Sequence, residues 1–340
     1  MALELRLKTC LEFNQQPLQS DCFTMSAPGI AVQQESDLLP TEERVLRVLL
    51  YFNIFNHPLT AGEILAFLPE TESSIEELSD LLESEALRRH IKRHGDYFLL
   101  RSAPESSVEQ RIFKESVARR RLVVASFVAR FIGLFPYVRC VMLSGELSKG
   151  VASKNSDIDF VVVTRPGRLW LCRSFLILFK KTVLLNSRRY FCLNHFVAED
   201  NLEVGLRNIY SATEIATLKP LYNRKRYEEY MANNVWIKEY FPNLSLSSRP
   251  VVREQLPSAT VRRRPLPSRV IDRFDRWLMH RWRALWQVRY ANLDREELHH
   301  KFRCDVSLST AYGVDYQRKV LAQYAHKLRQ YGIVAVGRQS

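Results

Sequence analysis

From Thr41 onward the chain alternates between apolar runs spaced as helices and runs spaced as strands. Val45, Leu46, Val48, Leu49 and Phe52 recur at helical intervals, and the run stops before His57-Pro58, because proline disfavours helix in the residue before it. Thr60-Ala-Gly-Glu63 reads as a capping box opening a short helix through Leu68. Ser73-Ser-Ile-Glu76 reads as a second one, opening a helix with Ile75, Leu78, Leu81, Leu82 and Leu87 inward. The segment His90–Ser102 follows as a hairpin turning at Gly95-Asp96. Residues 106–135 carry a long helical period, and Val138–Leu143 reads as a strand. Asp157-Ile-Asp159 then leads into the apolar strand Phe160–Val163. A helix over Gly167–Leu185, a strand over Tyr190–Val197 and a helix capped by Ser211-Ala-Thr-Glu214 complete this stretch.

These elements divide the chain. Residues 1–38 show no sustained period and read as a leader, and residues 39–103 form a first module of three helices and a hairpin, the order of a winged-helix-like domain. Residues 104–243 form a mixed-sheet core, and the Ser/Pro/Arg-rich stretch 244–268 reads as a linker. Residues 269–340 are expected to be helical, with Val270, Ile271, Phe274, Trp277, Leu278, Leu285 and Trp286 on one stripe. The expected class is therefore α+β.

Charge changes the picture in two places. The formal net charge is +13, which favours anionic partners. The winged-helix order invites a DNA-binding role, but Glu70, Glu72, Glu76, Glu77, Asp80, Glu83 and Glu85 crowd its third helix without one basic residue between them. Phosphate contacts need Lys and Arg, so sequence-specific DNA recognition is disfavoured and a docking role for the module is expected. Ten Arg between Arg262 and Arg295 interleave with Trp277, Trp282 and Trp286. Such a pattern permits RNA contact, yet an amphipathic helix with tryptophan in the core and arginine in water is the preferred reading. His90 and His94 read as solvated basic residues.

Six cysteines without a C-x-x-C pair suggest neither a disulfide framework nor a zinc site, and fit a reducing cytoplasm. The densest apolar stretch, Leu169–Leu185, is interrupted by Arg173 and Lys180-Lys181 and reads as a buried helix, not a membrane span.

The candidate chemistry lies between two strands. Ser144-Gly145 ends the first, and glycine allows backbone N–H groups to approach phosphate closely. A loop with Ser148, Lys149, Gly150, Ser153, Lys154 and Ser156 offers hydroxyls and ammonium groups to a triphosphate. Asp157 and Asp159, one residue apart, point the same way from an extended segment, as metal ligation requires.

In these residues the chain resembles the DNA polymerase β-like nucleotidyltransferase superfamily, and most closely its small MNT-type members. Ten residues separate Gly145-Glu146 from Asp157-Ile-Asp159-Phe160, the interval of that family's signature. The likeness covers roughly residues 138–200. It implies a mixed α/β core, Mg²⁺ or Mn²⁺ on Asp157 and Asp159, and transfer of a nucleoside monophosphate from a triphosphate, ATP favoured, to a protein, RNA or small-molecule acceptor. Ser144, Gly145, Ser148, Lys149, Ser156 and Asn194 are then expected to contact nucleotide, and His195 to act as base. Two positions depart from the family pattern. Glu146 stands where Gly or Ser is usual, and the later strand offers Asn194 or His195 in place of a third carboxylate, residues that also suit ordinary strand polarity. A degenerate member that binds nucleotide or RNA without turnover, or an adaptor working through its outer modules, is the alternative.

Overall fold

The computed structural model describes residues 38–69, 72–186, 189–245 and 268–334. The leader and linker readings therefore fall almost wholly outside the described residues. The described residues all fall in one compact unit.

The first module begins with helix α1, Pro40–Asn53, which opens with proline at a position where no amide partner is needed. Strand β1 (Leu59–Thr60) leads into α2 (Ala61–Ala66), and the expected capping box is present, with Thr60 N donating to Glu63 at 2.9 Å. The second box sits one residue later than the sequence suggests: Ser74 and Glu77 cap each other, while Ser73 N is taken by Asn243. The single helix expected after it is two, α3 (Ile75–Leu82) and α4 (Glu85–His90). Ser84 breaks the run because its hydroxyl accepts from Leu87 N and also donates to Glu42, at 2.6 Å. Strands β2 (Ile91–His94) and β3 (Tyr97–Leu100) form the predicted hairpin, with Gly95 in the left-handed region, and β1 completes an antiparallel sheet ordered β1-β3-β2.

Helix α5 (Ser106–Gly133) ties this module to the core. Its buried Arg111 donates to Glu63 at 2.6 Å, to Glu115 at 2.9 Å and to the Pro58 carbonyl.

The core is a five-stranded sheet. Its strands are β4 (Val138–Ser144), β5 (Asp159–Thr164), β6 (Cys192–Ala198), β7 (Lys219–Tyr222) and β8 (Leu308–Thr310), ordered β7-β4-β5-β6-β8. Only β5 and β6 are parallel, and helix α7 (Leu169–Thr182) is the crossover between them. One face packs Phe160, Val162 and Phe196 against Ala125 and Ala129 of α5 and Trp170 and Leu176 of α7. The other packs Cys140, Val161 and Val163 against helices α8 (Ile209–Thr217) and α9 (Arg224–Asn233). Cover on both faces explains why Phe160–Val163 reads as an unbroken apolar run.

Three expectations are corrected. Helix α8 is capped by Asn208, whose side chain accepts from Ser211 N at 3.0 Å, so Ser211 and Glu214 form no capping box. The helix ends at Thr217 because Pro220 lacks an amide, and Lys219–Tyr222 becomes edge strand β7. The C-terminal region is not only helical: β8 extends the sheet beside β6. Its helices are α10 (Ser268–Arg289), α11 (Arg295–Lys301) and α12 (Tyr316–Gln330). Val270, Phe274, Trp277 and Leu285 of the expected stripe are exposed, since α10 meets α7 along Asp275, Met279, Trp282 and Trp286. Helix α12 packs on α1, with Lys327 Nζ donating to Asn53 at 2.7 Å and Val320 and Leu328 in the first module's core. No helix among the described residues is long and apolar enough to cross a membrane.

Candidate functional site

Strand β4 ends at Ser144, and Gly145 turns the chain at φ +70 into a short helix, α6 (Gly145–Ser148). In the sheet register Ser144 lies opposite Asp159. A Cβ on Gly145 would stand 2.6 Å from Asp159 Oδ2, so the carboxylate would have to move aside. Glycine is required here twice, for its backbone angle and for the carboxylate against it. The turn and the second aspartate, far apart in sequence, are thus in contact.

Asp157 precedes β5 and is half-buried. Ile158 between the two is fully buried; its N–H donates to the Arg189 carbonyl and its own carbonyl accepts from Cys192 N. The aspartate segment is thereby clamped to the start of β6. Arg121 of α5 braces the preceding loop, donating to the Ser153 carbonyl and Ser156 Oγ, both at 2.9 Å, and to the Arg189 carbonyl at 3.2 Å.

Burial pushes the Asp159 carboxyl above its usual range; a hydrogen bond from Cys192 opposes this, the charges of Asp157 and Glu214 add to it, and Lys149 counters them. The Cys192 thiol is pushed far up by burial and by Asp159. Negative charge is therefore concentrated around Asp159, in a setting that favours a cation.

The remaining predicted residues divide. Lys149 Nζ lies 2.8 Å from Glu214 Oε1 and 3.4 Å from the Gly145 carbonyl, at the edge of the carboxylate cluster. Ser148 is buried and spends its hydroxyl on the Gly145 carbonyl at 2.8 Å. Ser156 is engaged by Arg121 and the Ser153 carbonyl, making it a brace of the loop. Ser144 Oγ makes only a 3.5 Å contact to the Asp159 carbonyl. Glu146 is exposed and turned to Ser153, accepting from its N–H and hydroxyl at 3.3 Å, and it makes no contact with Asp159.

On β6, Asn194 Nδ2 donates to Cys192 Sγ at 3.0 Å, and the Asn194 backbone carbonyl accepts from Ala311 N. His195 pairs with Val161, two residues beyond Asp159, and its Nδ1 lies 2.7 Å from the Tyr312 hydroxyl. Burial lowers its pKa to about 4, helped by Arg173 and Arg303, so the ring is neutral at physiological pH.

Three residues of the site escape sequence reasoning. Glu214 looks like a helix cap, Cys192 like a buried strand residue, and Tyr312 is more than a hundred residues from its partner. Only for Cys192 is there a local signal, its place two residues before Asn194. Ser148 and Lys149 also line a cleft of about 190 Å³ with Phe52, His57 and Phe67 of the first module. His57 is held neutral there, its pKa lowered to about 3 by burial, Arg111 and Lys149, against the pull of Glu63.

Among the described residues no group of three or more His, Cys, Asp or Glu side chains is arranged to hold a metal ion. No protein-family model matches the chain, and no curated protein or solved structure matches it either. The fold is thus α+β, with Asp159 held against a glycine turn.

Proposed function

We propose that the protein is a metal-dependent nucleotidyltransferase of the DNA polymerase β-like kind, with residues 39–103 as a winged-helix-like docking module. The observation that carries this reading is the packing of Asp159 against Gly145 at the head of α6. It sets a phosphate-type turn beside Asp159, the second residue of the aspartate pair. The donor set suits a metal that arrives with its substrate, since Mg²⁺ commonly takes one or two protein carboxylates and completes its shell with phosphate oxygens. When bound, Mg²⁺ supplies Lewis-acid polarisation of the α-phosphate.

The chain's own residues account for the rest. Backbone N–H groups at the Gly145 turn and the Lys149 ammonium face the phosphates. The acceptor hydroxyl oxygen forms a bond to the α-phosphorus while the bond to the bridging oxygen breaks and pyrophosphate leaves. The hydroxyl proton passes to His195 Nε2, which is the free acceptor when Nδ1–H is donated to Tyr312. Glu146, turned to Ser153, leaves the turn open to an anion.

One observation favours the second reading, nucleotide binding without transfer: Glu214, the third carboxylate near Asp159, is tied to Lys149. A single experiment separates the two. The purified chain is incubated with Mg²⁺ or Mn²⁺ and each of the four nucleotides labelled at the α-phosphate, with and without cellular RNA and protein. Label transfer that disappears in Asp157→Asn and Asp159→Asn is the expected result. Nucleotide binding by calorimetry with no transfer to any acceptor would establish the binding-only protein instead.

A further inference from the structure

The outer faces of α5 and α7 carry apolar side chains that nothing among the described residues covers. Phe127 of α5 is 66% exposed, Leu134 just past its end is 77% exposed, and Leu178 of α7 is 60% exposed. The two helices are neighbours here, for the Phe131 and Phe179 rings lie 4.9 Å apart. Beyond α7 the chain turns with Leu185 and Asn186 both in the left-handed region, at φ +47 and +62. A leucine there is uncommon and strained, yet this one is 87% exposed, next to Val183 at 61%. The turn thus holds two aliphatic side chains out into solvent just beyond the end of α7. Exposed apolar groups scattered singly need no account, but a contiguous set of this kind marks an interaction site.

Charge decides the partner. No Asp or Glu occurs between residues 116 and 145, nor between 160 and 198. Along α5 from residue 116 and along α7, the exposed charged residues are Arg119, Arg120 and Lys181. A surface that is apolar at its centre, cationic at its rim and free of carboxylates complements an anionic surface with an apolar interior. Two copies of this face would oppose like charges, which disfavours self-association through it. An anionic bilayer satisfies both parts at once, since apolar side chains enter the headgroup boundary while Arg and Lys meet lipid phosphates.

We infer that the α5–α7 face, with Phe127, Leu134, Leu178, Val183 and Leu185 at its centre, docks the protein on the surface of an anionic lipid bilayer. Such attachment is peripheral, with the apolar side chains entering only the headgroup boundary.

Co-sedimentation of the full chain with vesicles tests this. Vesicles of phosphatidylcholine alone are compared with vesicles of phosphatidylcholine and phosphatidylglycerol, at low and high salt. Binding to the anionic vesicles that weakens with salt is expected. It should fall at least about tenfold in Phe127→Asp/Leu178→Asp and also in Arg120→Glu/Lys181→Glu. All four positions are exposed or lie at the rim, and circular dichroism with a thermal melt checks that the variants remain folded. Failure to bind anionic vesicles would overturn the inference. So would vesicle binding that both variants retain, because the contact would then lie elsewhere on this basic chain. Light scattering covers the remaining case: an oligomer that Phe127→Asp/Leu178→Asp dissociates would make the face a contact between copies and overturn the inference as well.

Discussion

At the scale of single residues the site is governed by crowding of like charge. Asp159 has its carboxyl raised by burial and by Asp157 and Glu214, so its ionisation opposes folding as pH rises through that raised value. Asp159→Asn should therefore raise the thermal midpoint of the nucleotide-free protein by a few degrees near neutral pH, and the gain should shrink as acid protonates the wild-type carboxyl. Differential scanning fluorimetry across pH measures this, and an equal gain at every pH would refute the electrostatic account. Gly145 makes the converse case. Gly145→Ala forces a methyl into Asp159 Oδ2 at a φ of +70, and should cost about 1–2 kcal/mol for the backbone alone. Urea melts of the variant would read that cost, and nucleotide transfer should fall with it.

At the scale of elements, most helix starts are capped by their own residues, but that of α7 is set by groups from elsewhere in the chain. The N-terminus of α7 carries no side-chain cap of its own. Asp275 of α10, 2% exposed, accepts from Leu171 N at 2.8 Å instead, and Arg168 is paired with Asp272. Carboxylates from one helix thus satisfy and charge-match the start of another. Asp275→Ala leaves a buried amide without a partner and should cost about 1–3 kcal/mol by urea melt. Asp275→Asn, which keeps an acceptor oxygen, should cost less, and equal losses would show that packing alone is at stake. The capping box Thr60-Glu63 is legible in the sequence because both partners are local. The cap on α8 misleads because Ser211 and Glu214 have the right spacing, while Asn208 three residues earlier takes the role.

At the scale of the molecule, the parts of the chain are interleaved. Strand β8 comes from the C-terminal region but borders β6, and α12 completes the hydrophobic core of the first module. Thermal unfolding of the full chain is expected to be a single transition, and two separated transitions would contradict this interdependence. Acid should weaken the whole assembly through its two desolvated imidazoles, His195 with pKa about 4 and His57 about 3, each below the ordinary 6.5. Just below pH 6.5 the unfolded chain binds more protons than the folded one, so stability present above that pH is lost as pH falls toward those values. The thermal midpoint should already decline between neutrality and roughly pH 5, where ordinary carboxylates stay ionised, and less steeply in His57→Asn.

What the sequence determined by itself is whatever depends on neighbours in the chain. Apolar runs with period two or unbroken gave β4 and β5, the helical period gave α5 and α7, and Gly95 and Gly145 marked turns that need left-handed backbone. The interval from Gly145 to Asp159 likewise pointed to one cleft, because an antiparallel pair joined by a short loop must bring its ends together. Tertiary structure alone decided the rest. Glu214 reaches Asp159 and Lys149 only because α8 packs beneath the sheet, and Tyr312 meets His195 only because β8 pairs with β6. Neither contact leaves a periodic mark, since a polar side chain at a helix or strand position looks the same in water as beside a distant partner. The outer face of α7 was hidden for the opposite reason. Its composition reads as wholly buried, and only the packing shows that Leu178, Val183 and Leu185 are left in solvent.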